Sequence, residues 1–201
     1  MITSKWDLLD QAHAALRSAV AGMPPGGGGR PTPCDRWNVT QVVQHAAGDQ
    51  LAYASRLTGG PGPAEDPFAP TGVLAEDPAA FLEAALEASA AAFAGIAPGT
   101  GEVPVPLPPF TVTAETAVGA AALDAAVHAW DIAVATGRPS PLTEALAAAL
   151  RPTADLLVEP LRGFAFGPAL TPDPAADPAA DPARSLLAHL GRDAAWTPPA
   201  A

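Results

Sequence analysis

Basic residues are scarce in this chain of 201 residues: ten Lys and Arg stand against 21 Asp and Glu, a formal net charge of −11 at pH 7. This charge repels phosphate backbones and anionic lipid headgroups, and no cluster of basic residues is present to offset the repulsion. The chain also lacks an uninterrupted run of about 18 apolar residues, the length that spans a bilayer. These absences predict a protein that binds neither nucleic acid nor membranes.

Cysteine is nearly absent as well. The single Cys34 cannot form a disulfide within the chain, which agrees with a reducing compartment. Near the N-terminus, Lys5, Asp7 and Asp10 interrupt the stretch that would have to be continuously apolar in a secretory signal. We therefore expect the protein to reside in the cytoplasm, and we expect Cys34 to pack against its neighbours rather than to act as a nucleophile.

Apolar residues are abundant in contrast, at 49% of the sequence, and charged residues make up 15%. This balance is compatible with burial in one compact domain over residues 1–201. Alanine supplies much of the apolar fraction, and 25 prolines and 18 glycines separate the alanine-rich stretches. The pattern predicts an all-α fold in which helices alternate with long Pro/Gly-rich loops.

Apolar residues recur every three or four positions in six stretches of the sequence, which is the periodicity of helices with one buried face. The predicted helices span residues 4–22, 39–57, 79–96, 113–136, 141–159 and 183–190. Asn38 and Gln41 have the spacing of a capping box at the start of the second helix. Within the fifth helix, we expect Pro152 to bend the helix or to split it.

Three connections are rich in proline. Residues 61–78 are predicted to form a surface loop that covers one end of the helical bundle. Residues 98–112 contain too many prolines for a central strand, although Val103 and Val105 fit the alternation of a strand, so we predict an extended loop there. Residues 172–182 repeat the unit Asp-Pro-Ala-Ala and are predicted to form a linker or a segment that lies along the surface.

Asp124 and His128 lie four residues apart in the fourth predicted helix, so their side chains project from the same face, one turn apart. His45 lies in a similarly apolar stretch of the second helix. Two histidines and one carboxylate suit a divalent metal ion and leave a coordination position open for chemistry. The alternative is that each histidine is a hydrogen-bonded core residue, although Asp124 is costly to bury without a partner.

Three further residues can assist such a site. Asp49 and Tyr53 follow the histidine of the second helix at intervals of four residues and can line the same face, as a proton carrier and a hydrogen-bond donor. A solvated Asp49 and a Tyr53 at the edge of the core are the alternative. Asp131 lies three residues after His128 and can orient its imidazole, but it can equally cap the helix end or pair with Arg138.

Four segments of the sequence form a recognisable series. They are Trp-Asp-Leu-Leu in the first helix, Thr-Pro-Cys-Asp-Arg-Trp-Asn-Val at 32–39, Asp-Ala-Ala-Val-His-Ala-Trp-Asp-Ile-Ala at 124–133, and Leu-Leu-Ala-His-Leu-Gly-Arg-Asp at 186–193. In this order they resemble the actinobacterial DinB-like metal-binding family, over nearly the whole chain. The metal domain of mycothiol-dependent maleylpyruvate isomerase is similar, with one histidine on helix two and an acidic residue four positions before a second histidine.

The resemblance implies a DinB-like four-helix bundle with an additional C-terminal helix, in which His45, Asp124 and His128 bind a divalent metal ion, zinc above others. It also implies mycothiol or another low-molecular-weight thiol as cosubstrate, so that the protein acts as a thiol-dependent transferase or isomerase on a small electrophile. The chain departs from the family in two respects. Asp124 occupies a position where glutamate also occurs, and we expect no counterpart of the isomerase's additional C-terminal domain.

Two other functions stay open from the sequence. A metal-dependent isomerase, lyase or cyclase of secondary metabolism would polarise a carbonyl group without any thiol. A non-catalytic metal- or small-ligand-binding module would need no proton carrier. In each case we expect a small molecule as the ligand, and a homodimer formed through an apolar helix face is a further prediction.

Overall fold

The computed structural model describes residues 4–34, 36–171 and 180–199, which form a helical bundle with one small hairpin. The six helices of this part of the chain are α1 (Asp7–Ala21), α2 (Val39–Thr58), α3 (Pro78–Ala94), α4 (Ala114–Ala135), α5 (Glu144–Leu157) and α6 (Pro182–His189). Two strands, β1 (Glu102–Pro104) and β2 (Thr111–Thr113), lie between α3 and α4. Each predicted helix is therefore present, with ends that differ by at most three residues.

Helix α4 lies at the centre of the bundle, where it packs against α1, α2 and α5. Helix α3 packs against α2 and α1, and α6 packs against α5. One hydrophobic core contains side chains from all six helices. The first four helices thus form the bundle, and α5 and α6 extend its core on one side.

Helix α4 is long and apolar enough, by length and composition alone, to cross a membrane. In the fold, however, 83% of its most apolar window is buried inside the protein. A helix that is apolar on all sides is the expected centre of a packed core. Its composition is therefore explained by its place among α1, α2 and α5.

Helix α2 begins and ends at signals that the sequence contains. Asn38 Oδ1 accepts a hydrogen bond from Gln41 N over 2.9 Å, and Gln41 Oε1 accepts one from Asn38 N over 3.0 Å, so the predicted capping box is confirmed. Gly59 follows the last turn in the left-handed conformation, with a φ of 72°. These two ends fix the helix that carries His45.

The long connection between α2 and α3 lies along α2. Gln44 donates a hydrogen bond to Val73 O over 3.0 Å and accepts one from Gly72 N over 2.7 Å. At Gly48 the connection comes so close that a methyl group on the glycine would lie 2.9 Å from Pro67 Cγ. The absence of a side chain at this position therefore allows the connection to reach the helix.

The prediction of an extended loop over residues 98–112 is wrong in part, because β1 and β2 pair as an antiparallel hairpin with Val103 opposite Val112. Pro98 precedes β1, Pro104 ends it, and Pro106, Pro108 and Pro109 lie in the turn between the strands. A two-stranded hairpin has only edge strands, where proline is tolerated. As predicted, the segment forms no central strand, and its two short strands pair only with each other.

Helix α5 continues without interruption through Pro152, so the alternative of a split is wrong, and a bend at Pro152 stays a prediction. Buried Ala147, Leu150 and Ala154 anchor the helix on both sides of the proline. This packing compensates for the one backbone hydrogen bond that proline cannot donate.

The predicted linker at 172–182 falls largely outside the described residues, which resume at residue 180. Asp181 accepts a hydrogen bond from Arg184 N over 2.9 Å and so caps α6. The end of the repeat is therefore the start of a helix, and a linker over residues 172–179 stays a prediction.

Candidate metal centre

The three predicted metal ligands meet where α2 packs against α4. His45 Nε2 lies 3.5 Å from Asp124 Oδ1, and His128 Nε2 lies 3.4 Å from the same oxygen. One ligand-type atom from each residue lies within 4.8 Å of the others. Among the described residues, no other group of three or more His, Cys, Asp and Glu side chains is arranged in this way.

Each imidazole is oriented by a hydrogen bond at its other nitrogen. His45 Nδ1 lies 2.8 Å from the carbonyl oxygen of Pro67, and since a carbonyl only accepts, Nδ1 carries the proton. His128 Nδ1 lies 2.9 Å from Asp131 Oδ2 and donates to that carboxylate in the same way. The neutral form of each ring then directs the lone pair of Nε2 toward Asp124, which is the form that binds a metal ion.

Aromatic neighbours also restrict the His45 ring. The centroid of the Trp37 ring lies 4.6 Å from that of His45, and the Phe68 centroid lies 5.4 Å away. Trp37 precedes α2, whereas Phe68 belongs to the connection between α2 and α3. The imidazole is therefore held from several sides before any ion binds, which favours a preformed site.

The spacing and the donor atoms fit a divalent ion. Ligand atoms bound at about 2.0–2.1 Å to a tetrahedral ion lie about 3.3 Å apart, close to the 3.4 Å and 3.5 Å separations around Asp124 Oδ1. The second oxygen, Oδ2, is buried and has no hydrogen-bond partner among the described residues. A buried carboxylate oxygen without a partner is costly unless a ligand satisfies it. Zinc, held by two imidazoles and one carboxylate with a fourth position open, is consistent with these observations.

In the metal-free protein the centre is a network of charges. Burial disfavours the charged form of His128, but the carboxylates of Asp124 and Asp131 outweigh burial and raise the pKa of His128 to about 9. Burial also disfavours the Asp124 carboxylate, yet the imidazoles of His128 and His45 hold its pKa below the usual range. The metal-free centre therefore holds a proton on His128 near neutral pH, and a bound metal ion would take the place of that proton.

Asp49 lies beside the predicted ligands, with its Oδ2 4.0 Å from His45 Nε2. This distance is too long for a hydrogen bond, and the carboxyl group makes none with any described residue. Burial, followed by repulsion from the Asp124 carboxylate, raises the pKa of Asp49 to about 7. The alternative of a solvated Asp49 is wrong, because only 8% of the residue is exposed. Its role as a proton carrier stays a prediction.

Tyr53 lies one turn further along α2 and lines the same cavity as Asp49. The residue is buried, with its ring centroid 6.1 Å from that of Phe93, and its hydroxyl makes no hydrogen bond to any described residue. Burial raises the pKa of this hydroxyl, so it stays protonated and can donate. Tyr53 is therefore placed to hydrogen-bond a molecule in the cavity, and that role also stays a prediction.

Asp131 contacts His128 and Arg192 rather than Arg138. Arg192 follows α6 and donates from Nε and Nη2 to the two carboxylate oxygens of Asp131, each over 2.9 Å. Burial would raise the pKa of Asp131, but Arg192 and then His128 hold it below its usual value. Sequence reasoning missed Arg192 as a residue of the site. The only feature of the sequence that pointed to Arg192 is its place in Gly-Arg-Asp at residues 191–193, at the end of the last segment that resembles the family.

The predicted ligands, Asp49 and Tyr53 line a cavity of about 120 Å³. Its other walls come from the β1–β2 hairpin, from the connection between α2 and α3, and from the segment after α5. Most of these wall residues are aliphatic or aromatic. Cys34 packs against the core, as predicted, and also borders the cavity.

These features define a DinB-like helical domain with a His/Asp/His cluster between two central helices. Residues 9–133 match the family described as the mycothiol maleylpyruvate isomerase N-terminal domain, and the chain belongs to this family. The uncharacterized proteins MT0763 and Rv0738 of Mycobacterium tuberculosis are each 32% identical over 149 residues, which cover 74% of this chain and 75% of the relative. No solved structure matches the chain. The predicted family and the all-α DinB-like fold are thus confirmed, and the matched residues end before Arg192.

Proposed function

We propose that this protein is a divalent-metal-dependent enzyme: a thiol-dependent transferase or isomerase that acts on a small electrophile, with mycothiol or a related thiol as cosubstrate. The convergence of His45 Nε2, Asp124 Oδ1 and His128 Nε2 is the observation that carries the proposal. Family membership supports a thiol cosubstrate, because the description of the family names mycothiol and an isomerase. Zinc is the ion that this donor set and spacing favour.

His45, Asp124 and His128 would hold a zinc ion, which would act as a Lewis acid and lower the pKa of a thiol or of water. The residues of the chain supply the rest. Asp131 and the Pro67 carbonyl hold the two imidazoles in place, and the apolar walls limit the access of water. Asp49 accepts the proton of the thiol and returns it to carbon after the sulfur–carbon bond has formed and the π bond of the electrophile has broken. Tyr53 donates a hydrogen bond to the oxygen on which negative charge develops.

A thiol-independent isomerase, lyase or cyclase of secondary metabolism is the second candidate function. The observation that favours it is Asp49, whose buried carboxyl group has no hydrogen-bond partner among the described residues. Such a group beside a polarised carbonyl suits the abstraction of a proton from carbon. The same group disfavours a non-catalytic metal- or ligand-binding module, since binding alone requires no proton carrier.

Metal content tests the centre itself. Wild-type protein that is loaded with zinc and desalted is expected to retain the ion, whereas His45→Ala and His128→Ala should lose it and keep a helical circular-dichroism spectrum. His189→Ala is the matched control, because His189 lies outside the cavity and faces Ala154 O over 3.4 Å. Stoichiometric zinc in both ligand variants would refute the centre.

Thiol dependence separates the two enzyme classes. Zinc-loaded protein is mixed with mycothiol and an activated alkene, and the consumption of thiol is compared with the uncatalysed background. We expect an acceleration that saturates with thiol and that disappears in His128→Ala. Rearrangement of the alkene without any thiol would select the second candidate function instead, and equal rates in wild type and His128→Ala would contradict both.

A further inference from the structure

We infer that the cavity binds a small molecule whose apolar body is about the size of one aromatic ring and which carries at most one negative charge. The inference rests on the proposed metal centre and names the class of substrate for that centre. It follows from the walls, the volume and the charges of the cavity. It disfavours dicarboxylates and phosphate esters, whose negative charges this cavity cannot balance.

Apart from the metal centre, most of the cavity wall is apolar. Phe68 belongs to the connection between α2 and α3, Leu107 and Val112 belong to the hairpin region, and Phe164 follows α5. The rings of Phe68 and Phe164 contact each other, with 5.0 Å between their centroids. Phe164 lines the cavity although 56% of the residue is exposed. An exposed aromatic ring, in contact with the half-buried ring of Phe68 at the mouth of a cavity, marks a binding surface for an apolar ligand.

The volume of the cavity indicates the size of the ligand's buried body. At about 120 Å³ it approaches the engineered protein cavity of about 150 Å³ that binds benzene. Burial of one ring against Phe68 and Phe164 would remove apolar surface from water on both sides of the contact. A single ring, or an alkenyl chain of similar size, therefore fills the space.

The charges that face the cavity limit the charge of the ligand. Among the described residues, its Arg and Lys side chains are Arg36 and Arg192, and the guanidinium of Arg192 already pairs with Asp131. Asp49 and Asp124 place two carboxyl groups in the same cavity, and two carboxylates offset the charge of one divalent ion. Exposed Arg36 is the remaining cation for a single negative group. A second buried negative charge would have no partner, which is costly.

A polar group on the ligand has partners in the cavity. The hydroxyl of Tyr53 and the carboxyl group of Asp49 make no hydrogen bonds to described residues, and both residues are buried. Buried polar groups are normally satisfied, so these two indicate that water or a ligand supplies their partners. The ligand is thus amphipathic, with its apolar body against Phe68 and Phe164 and its polar group toward the metal centre.

A matched series of three carboxylates tests this class. Hydrocinnamate, butanoate and succinate share a two-carbon chain that ends in a carboxylate, and they carry a phenyl ring, a methyl group or a second carboxylate at the other end. Dissociation constants are measured by NMR titration of the zinc-loaded protein. We expect hydrocinnamate to bind at least about tenfold more tightly than succinate, and the dissociation constant of butanoate to lie between those of the other two.

Variants locate the binding of the ring. Phe164→Ala is expected to weaken the binding of hydrocinnamate severalfold and to leave the binding of butanoate unchanged. Because Phe164 is exposed, the substitution should not unfold the protein. Phe110→Ala is the matched control, because Phe110 is 52% exposed on the hairpin and does not line the cavity. Succinate binding as tightly as hydrocinnamate, or an unchanged hydrocinnamate constant in Phe164→Ala, would overturn the inference.

The same titrations of metal-free protein separate this inference from the proposed function. The preference for hydrocinnamate over butanoate should persist without zinc, because the walls do not depend on the ion. The affinity for all three carboxylates should be higher for the zinc-loaded protein than for the metal-free protein, because each carries the same carboxylate. Loss of the ring preference in both forms refutes the substrate class, whereas a ring preference without any effect of zinc refutes the metal centre alone.

Discussion

Arg192 binds both carboxylate oxygens of Asp131, over 2.9 Å from Nε to Oδ1 and 2.9 Å from Nη2 to Oδ2. Asp131 is fully buried, and its Oδ2 also accepts a hydrogen bond from His128 Nδ1 over 2.9 Å. Since 61 positions separate Arg192 from Asp131, the segment after α6 is tied through one carboxylate to a predicted metal ligand. The partner of a ligand imidazole sets the direction of its second nitrogen. The end of the described chain therefore contributes to the geometry of the centre.

Replacement of Arg192 is expected to weaken the binding of zinc. In Arg192→Gln the Asp131 carboxylate loses its charged partner and no longer holds the His128 ring in one orientation. Loss of such support lowers metal affinity by about 10–100-fold. Arg192→Lys keeps the charge, but a lysine cannot bind both carboxylate oxygens in one plane. The zinc affinity of this variant should therefore lie between those of wild type and Arg192→Gln. Competition with a chromophoric chelator gives the dissociation constants.

Arg151→Gln is the matched control for this series. Arg151 is likewise an arginine that joins two elements, α5 and α6, through a hydrogen bond to Ser185 Oγ over 2.9 Å, but it does not line the cavity. It should leave the zinc constant unchanged. If Arg192→Gln lowers only the thermal stability of the metal-free protein and not its affinity for zinc, Arg192 has a structural role and no positioning role.

The helices could be predicted from the sequence because the signals that start and end them are local. Asn38 and Gln41 satisfy the first amides of α2, and Gly59 adopts the conformation that ends it. The pairing of β1 with β2 is not local in this sense, because prolines and valines alternate there without showing which segment lies opposite. Uninterrupted α5 also depends on the core that packs around Pro152, which the sequence does not display.

The candidate site divides in the same way. Asp124 and His128 share one helix face by their spacing, and the apolar stretch around His45 makes this residue a third candidate, but the approach of His45 to the pair depends on how α2 packs against α4. The Pro67 carbonyl that orients His45 is a backbone atom and has no signature in the sequence. Arg192 reaches Asp131 only because α6 packs on α5. Tertiary packing thus supplies the Pro67 carbonyl and Arg192, whereas Asp131 lies three residues after His128 on the same helix and could be predicted from that spacing.

Gly48→Ala is expected to loosen the connection that lies along α2. A methyl group there meets Pro67 Cγ at 2.9 Å and Cβ at 3.1 Å, so the connection must move outward and carry the Pro67 carbonyl away from His45 Nδ1. Overpacking of this kind costs about 1–3 kcal/mol of the free energy of unfolding, against a gain of about 1 kcal/mol from alanine in a helix. Urea unfolding should show a lower free energy of unfolding, and zinc titration should show a weaker affinity for zinc.

Gly101→Ala is the control for this substitution, because a methyl group at Gly101 has no atom within 4 Å. It is expected to change neither the free energy of unfolding nor the zinc constant. A more stable Gly48→Ala protein with an unchanged zinc constant would show that the connection yields easily and does not orient His45.

Zinc is expected to stabilise the wild-type fold and to do so through Asp124. At a free zinc concentration of 100 times the dissociation constant, the gain in the free energy of unfolding is about 2.7 kcal/mol. Asp124→Asn preserves the shape of the side chain but removes the charged ligand oxygen, so most of this gain should disappear. Asp155→Asn, which alters an exposed carboxylate outside the cavity, should retain it. A full gain in Asp124→Asn would place the zinc elsewhere, and a chelator should reverse the wild-type gain.

His13 is a buried titratable residue that lies outside the cavity. Gln50 Nε2 donates to Ala121 O over 3.0 Å, so Gln50 Oε1 is the atom that lies 2.9 Å from His13 Nε2, and this nitrogen must be the donor. His13 Nδ1 is buried and has no partner among the described residues. A second proton on the ring would therefore have no acceptor, and burial lowers the pKa of His13 below 6.5.

The free energy of unfolding is expected to decrease as the pH is lowered, because His13 is buried in its neutral form. The unfolded chain takes up the proton first as the pH falls, so the contribution of His13 is present above about pH 6.5 and is lost as the pH falls through the lower folded-state pKa. One histidine gives a slope of at most about 1.4 kcal/mol per pH unit. Urea unfolding between about pH 7.5 and about pH 5 should show the free energy of unfolding of wild type falling by up to this slope relative to that of His13→Leu, because the other titrating groups contribute to both proteins. In wild type Ser89 also donates to Gln50 Oε1 over 2.8 Å, so His13→Leu does not leave this buried oxygen without a donor. Parallel curves would mean that His13 accepts its second proton in the folded protein without cost.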